Sequence, residues 1–134
     1  MNDELVMICG KCRQPVGPHK GCLWVGHDEI RDRRGEKAEW DRRHSGRSLR
    51  LSEMLGMPED IHWKVHHDGC TPEPAEPYWI ATEDIGNYDR LLHWTAHLMA
   101  KTWFSLTDWD SLLREIAGEG GPSPRMMAAI RAAA

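Results

Sequence analysis

No apolar stretch in this 134-residue chain approaches the ~20 residues that a membrane-spanning helix requires. Residues 1–10 carry no basic segment followed by a hydrophobic one, so no export signal is read there and a soluble, cytoplasmic protein is expected. A strong positive charge is also missing. Lysine and arginine number 17 against 21 acidic residues, a net of −4, so bulk electrostatics do not announce a nucleic-acid binder. No glycine-rich phosphate loop, Ser-His-Asp arrangement, paired-carboxylate pocket or internal repeat is legible. What remains is ordinary globular chemistry, 40% hydrophobic and 28% charged, in a chain long enough to bury a core.

Cysteine is scarce, four residues in all, and its placement is the most informative feature. Cys9-Gly-Lys-Cys12 and His67-Asp-Gly-Cys70 each place two donors three positions apart with a glycine between them. A tight knuckle at each pair aims both side chains at one ion, and tetrahedral Zn²⁺ suits three thiolates and an imidazole. Two disulfides are the competing reading, disfavoured by the knuckle spacing and by the lack of an export signal. His66 or Cys22 in place of His67 stay open as ligand alternatives. Four protein ligands leave no open coordination position, so one structural zinc is expected. The 54 residues between Cys12 and His67 form a long insertion, whose closure entropy grows only logarithmically with length.

Local patterning predicts an α+β fold: a zinc-knuckle and short hairpin lobe with an inserted charged helix, packed on a C-terminal helical pair. Val6-Met7-Ile8 reads as the first hairpin arm and Cys22-Leu23-Trp24-Val25 as the returning strand. Asp28 or a neighbour starts a helix to about Arg43, weakened by Gly35 and stopped at Ser45-Gly46. A short helix is predicted from Leu49 to Met57. An apolar-alternating stretch then runs from Ile61 to Val65. Prolines in 71–77 exclude regular structure there, and Tyr78 to Ala81 reads as a strand. Residues 88–103 repeat apolar positions at helical spacing, including Leu91, Leu92, Leu98 and Met99. Thr107 is the expected cap of a following helix that buries Trp109, Leu112, Leu113 and Ile116, with Gly118 as a left-handed stop. The domain reading is 1–77 for the zinc lobe with its helical insertion, 78–118 for the strand and two helices completing the same domain, and 119–134 for a loop and a tail that is helical or frayed.

Several catalytic patterns fail on inspection. His27-Asp28-Glu29 fits half of a zinc deaminase signature, but its Cys-x-x-Cys partner precedes it rather than follows. His93 and His97 are four apart on a helix without the intervening glutamate of a metalloprotease, and both are expected to face solvent. A nuclease of the His-Asn-His type is the alternative function. Trp63 to His67 offers its strand and histidine, yet the prolines after Thr71 break the helix it requires.

The partner question rests on residues 31–50, where eight basic residues stand against four acidic ones. Arg33, Arg34, Lys37, Arg42, Arg43, Arg47 and Arg50 are candidates to track a phosphate backbone, and Trp40 among them is a candidate interface anchor. The opposing reading is a solvated helix laced by ion pairs such as Arg33–Glu36 and Glu39–Arg43. Seven tryptophans are unusual at this length. Trp79, Trp94, Trp103 and Trp109 are expected in the core, and Trp24 and Trp63 beside the metal.

The ligand order, with Trp63 four residues before the histidine, is similar to the first site of LIM-type zinc modules, whose second site is missing here. More broadly, four segments together resemble a group of small zinc-binding proteins of actinobacteria and their phages, over roughly residues 9–113. These are Cys9-x-x-Cys12, Gly21-Cys22-Leu23-Trp24-Val25, His66-His67-Asp68-Gly69-Cys70 and Leu92-His93-Trp94-Thr95-Ala96-His97-Leu98-Met99-x-Lys101-x-Trp103. An arginine-over-lysine bias of 12 to 5 suits a high-GC genome. The resemblance implies the zinc site and the α+β fold and transfers no catalytic residue. The expectation is a non-enzymatic, regulatory, zinc-stapled interaction protein. Its partner is a protein or a nucleic acid, with no membrane and no small-molecule substrate.

Overall fold

The computed structural model describes residues 4–44, 56–72 and 77–132. It is an α+β fold built on two three-stranded antiparallel sheets. In chain order come β1 (Leu5–Ile8), β2 (Pro15–Val16), β3 (Gly21–Gly26), α1 (His27–His44), β4 (Lys64–His67), β5 (Pro77–Ala81), α2 (Tyr88–Met99), α3 (Trp109–Ile116), β6 (Met126–Ala128) and α4 (Ala129–Ala132). The first sheet runs β2-β1-β6 and the second β4-β3-β5. The predicted strands Val6–Ile8 and Cys22–Val25 therefore form, but they do not pair with each other. The knuckle itself reverses the chain, so Met7 and Ile8 find Val16 and Pro15 first. β3 is left to take β4 and β5 on its two edges.

β3, buried at every residue but Cys22, sets the core. Leu23 and Val25 are fully buried, and Leu23 stands in register with Val65 on one side and Ile80 on the other. Trp63 forms the aromatic centre of this core, with Trp109 at 5.1 Å edge-on and Tyr78 and Trp103 each at 6.2 Å. That is its structural place, in contrast to the expected position as a shield for the metal. Each buried ring removes apolar surface worth roughly 25 cal/mol per Å² from water, and the edge-on pairing adds directional attraction.

The C-terminal helices form as the apolar spacing predicts, with shorter bounds. Asn87 caps α2 by accepting the Arg90 N–H at 2.9 Å, and the helix stops at Met99 rather than running to 103. Tighter three-residue bonds take over there, Ala100 N–H to the His97 carbonyl and Lys101 N–H to that of Leu98, and Trp103 turns inward. Only Leu91 and Leu98 of α2 are buried, while Leu92 (71% exposed) and Met99 (65%) face outward. Thr107 does not cap α3, because its hydroxyl donates to the Phe104 carbonyl. The residue at that position is Asp108, whose carboxylate turns inward instead. Gly118, at φ 86°, closes α3 with paired bonds from its own N–H to Glu115 and from Glu119 to Arg114.

The tail departs most from expectation. Met126–Ala128 adds as β6 to the free edge of β1, Met126 opposite Met7 and Ala128 opposite Leu5. Met126 is completely buried. The predicted short helix 49–57 falls mostly outside the described residues. Among the described residues, no helix is long and apolar enough to cross a membrane.

Candidate metal centre

Cys9 directly follows β1, and Cys12 ends the turn that leads to β2. His67 is the last residue of β4, and Cys70 closes the 3₁₀ turn that follows. One donor atom from each of Cys9, Cys12, His67 and Cys70 falls within 4.8 Å of all the others. Tetrahedral ligands around zinc at ~2.3 Å for sulfur and ~2.0 Å for nitrogen stand roughly 3.5–3.8 Å apart, so a slight contraction closes the set. The cluster thus joins one sheet to the other. The Gly10 N–H donates to the Val65 carbonyl at 2.7 Å, tying the first knuckle to β4, and the Asp68 N–H to that of Lys20 at 2.9 Å, tying the second to the start of β3. Arg13 adopts a left-handed φ of 60° to let the first knuckle turn, its N–H returning to the Cys9 carbonyl at 3.0 Å.

His67 is oriented by its other nitrogen. Nε2 lies 3.0 Å from the Pro15 carbonyl oxygen, which accepts only from an N–H, so the lone pair sits on Nδ1, 3.3 Å from the Cys12 sulfur. The electrostatics agree with a cation site. Burial pushes the Cys9 thiol up, but backbone N–H groups of Cys12, His67 and Lys11 converge on it and bring it from 9.0 down to about 5. His67 is held above its ordinary value by the Cys9 thiolate and by Pro15. Cys70 is pushed up by burial and by the neighbouring thiols of Cys9 and Cys12. Several thiolates packed this tightly repel one another until a cation joins them.

The alternative ligands stand elsewhere. His66 accepts the Trp24 indole N–H at 3.0 Å on the adjacent face of β4, and burial lowers its basicity. Cys22, between His66 and Ala81 in register, is a half-buried thiol pushed up by burial and by Asp68. Neither belongs to the four-donor group. His27 and Asp28 are exposed at the start of α1, while Glu29 reaches the Gly26 N–H at 3.4 Å and Lys64 at 2.6 Å. His93 and His97 are exposed on α2 as expected. After His66 and His67 the described chain continues as a 3₁₀ turn and then β5, without the helix that a His-Asn-His nuclease would place there.

The predicted basic surface is largely spent within α1. Arg33 pairs with Glu36 at 3.4 Å, Lys37 with Asp41 at 3.1 Å, and Arg42 and Arg43 both with Glu39. Arg34 donates to the Thr102 hydroxyl at 3.0 Å. Trp40 is half-buried, stacked on His44 with ring centres 4.3 Å apart and with Lys37 over its face. Arg47 and Arg50 lie outside the described residues.

A second polar constellation has no counterpart in the sequence reading. Arg125 donates to Asp108 at 2.8 Å, to the Trp63 carbonyl at 2.9 Å, and through Nε and Nη2 to Glu115. Asp108 also accepts the Trp63 N–H and meets His62, both at 2.8 Å. Burial works against the guanidinium charge, and the two carboxylates more than offset it, raising Arg125 further. The bonded pairs are 10 to 62 positions apart, so no spacing rule finds them. The Pro15 carbonyl was equally hidden, being backbone.

No protein-family model, curated protein or solved structure matches the chain.

Proposed function

We propose that this is a zinc-stapled, non-enzymatic interaction protein with a regulatory role in a bacterial or phage setting, and that its partner is another protein. The observation that carries the reading is the convergence of four soft or borderline donors from two knuckles on different sheets, with the tautomer of His67 fixed from behind. Three thiolates and an imidazole favour Zn²⁺ over harder ions, and a filled four-ligand shell gives the metal a structural role. Zinc bound there supplies a cross-link, and the residues around it hold two sheets in one arrangement.

Two observations favour a protein partner over nucleic acid. The cations of α1 are largely neutralised by carboxylates on the same helix, which leaves few free charges to displace counterions from a phosphate backbone. Large apolar side chains also stand exposed outside α1: Trp79, Leu92 and Met99. The test is binding of zinc-loaded protein to duplex DNA, single-stranded DNA and RNA at two salt concentrations, with Arg42→Ala and Arg43→Ala alongside. Weak binding that the two substitutions leave unchanged supports the reading. Tight binding that falls steeply with salt and with either substitution overturns it in favour of nucleic acid.

A further inference from the structure

Trp79 was expected in the core, yet it is 59% exposed on β5. Its neighbour across the sheet is Trp24, in register on β3. Both line a cleft of about 490 Å³ on the outer face of the β4-β3-β5 sheet, together with Cys22, His19, Asp68 and Glu83. Two indoles and two carboxylates are thus gathered at one concavity. We infer that this cleft, bounded by Trp24, Trp79, Asp68 and Glu83, receives an arginine side chain of a protein partner.

The chemistry follows from what each wall offers. An indole face attracts a cation placed over it, and a planar guanidinium both stacks on that face and turns its N–H fork towards a carboxylate. Asp68 supplies the carboxylate: among the described residues its side chain has no ion pair or hydrogen bond, and only its backbone N–H is engaged, with Lys20. Its charge is felt in the cleft, where it helps to push the Cys22 thiol up. Glu83 stands on the opposite rim, ion-paired at 2.7 Å with the exposed His19. Lys64, which lies over Trp24, is already bonded to Glu29 at 2.6 Å. The proposed zinc next door adds no positive field, because three thiolates overcompensate a divalent ion. The exposed face of Trp79, with the buried edge of Trp24 behind it, a thiol and the Asp68 carboxylate suit a flat, weakly hydrated cation. A polypeptide is the fitting source because β5 is an outer strand of its sheet among the described residues, the kind of edge on which extended chains add.

This inference rests on the protein-partner reading above and is tested separately from it. The full-length, zinc-loaded chain is titrated with the tripeptide acetyl-Gly-Arg-Gly-amide, followed through the indole N–H resonances of Trp79 and Trp24. The same peptide with citrulline, the neutral isostere of arginine, is run beside it, as are the lysine peptide and free choline. The expected result is movement of both indoles by the arginine peptide and at least ~10-fold weaker binding of citrulline, the equivalent of about 1.4 kcal/mol and within the range of a partly desolvated cation–π contact. Trp79→Ala and Asp68→Asn should each cost roughly 5-fold or more. Zinc content and melting temperature should stay unchanged in Trp79→Ala, whose side chain is already exposed. Equal binding of citrulline, or indifference to Trp79→Ala, overturns the site. Lysine binding as tightly as arginine overturns guanidinium recognition, and choline binding more tightly than the peptide overturns the protein source. Zinc content and nucleic-acid affinity of the same preparation report independently on the reading beneath it.

Discussion

Replacing Arg125 by methionine should be among the most damaging single changes outside the metal centre. Arg125, Asp108 and Glu115 have side chains only 17%, 5% and 14% exposed, so the ions are held largely out of water. Removing the arginine takes the guanidinium from two largely buried carboxylates, leaving Asp108 only His62 and the Trp63 N–H, and leaves the Trp63 carbonyl without that donor. Breaking a buried pair this way costs roughly 3–5 kcal/mol. A domain of this size has about 5–15 kcal/mol in total. At about 3–5 °C per kcal/mol, melting should fall by roughly 10–20 °C. Arg125→Lys keeps the charge but not the fork that spans Asp108 and Glu115, so it should fall between the two. The triple variant Arg125→Met/Asp108→Asn/Glu115→Gln should recover much of the loss, because no uncompensated charge remains. Urea or thermal unfolding by circular dichroism measures all three. A loss below about 1 kcal/mol for Arg125→Met would show that the cluster behaves as a surface pair, and the reasoning would fail.

Glycine substitutions should give opposite signs at two positions. A Cβ on Gly21 would overlap the His66 carbonyl oxygen and crowd Val16 at 2.7 Å, so Gly21→Ala should destabilise by at least about 1–3 kcal/mol and loosen metal retention. Gly35, in mid-α1 with open space around it, should gain up to about 1 kcal/mol on the same change; matched melts of the two variants check this. Met126→Ala should cost about 2–5 kcal/mol if β6 belongs to the core, and a cost near zero in denaturant titration would return the tail to a frayed end. In the metal-free chain the pH dependence has a defined sign. The folded Cys9 titrates near 5 against an ordinary 9.0, so the unfolded chain holds the extra proton between those values and stability rises with pH from about 5. His67, raised above 6.5, contributes fully below 6.5 and loses its contribution as pH passes its raised value. Unfolding of metal-free protein should therefore show stability climbing between about 5 and 6.5, levelling while His67 offsets Cys9, and climbing again once pH passes the raised His67 value; a decline between 5 and 6.5 contradicts it.

The clustering of the four candidate donors was readable because knuckle spacing is a local constraint: Cys-x-x-Cys and His-x-x-Cys each describe one turn of chain. Helices α1, α2 and α3 were readable for the same reason, their apolar or charged periodicity and stop signals being contained within a few turns. Strand partners were not. Whether Val6–Ile8 pairs with Cys22–Val25 or with Pro15–Val16 depends on where the knuckle leaves the backbone, and β6 is too short and alanine-rich to announce itself. Side-chain destinations suffered most. Leu92 and Met99 share helical spacing with Leu91 and Leu98, and only the narrowness of the α2 contact decides which pair is buried. Trp79 and Trp63 were assigned by residue type, whereas strand register sends one to solvent and the other to the centre of the core. Asp108 sits at a helix start where a cap is the default, yet Arg125, His62 and the Trp63 amide claim its carboxylate.

The native mass spectrum of the reduced, purified chain addresses the founding assumption most directly. It should show one zinc ion per molecule, lost on acid denaturation and absent from Cys9→Ser purified in the same way. A folded, cooperatively melting protein that carries the bare chain mass would contradict the account, because two sheets would then be held together without the ion on which their union is argued.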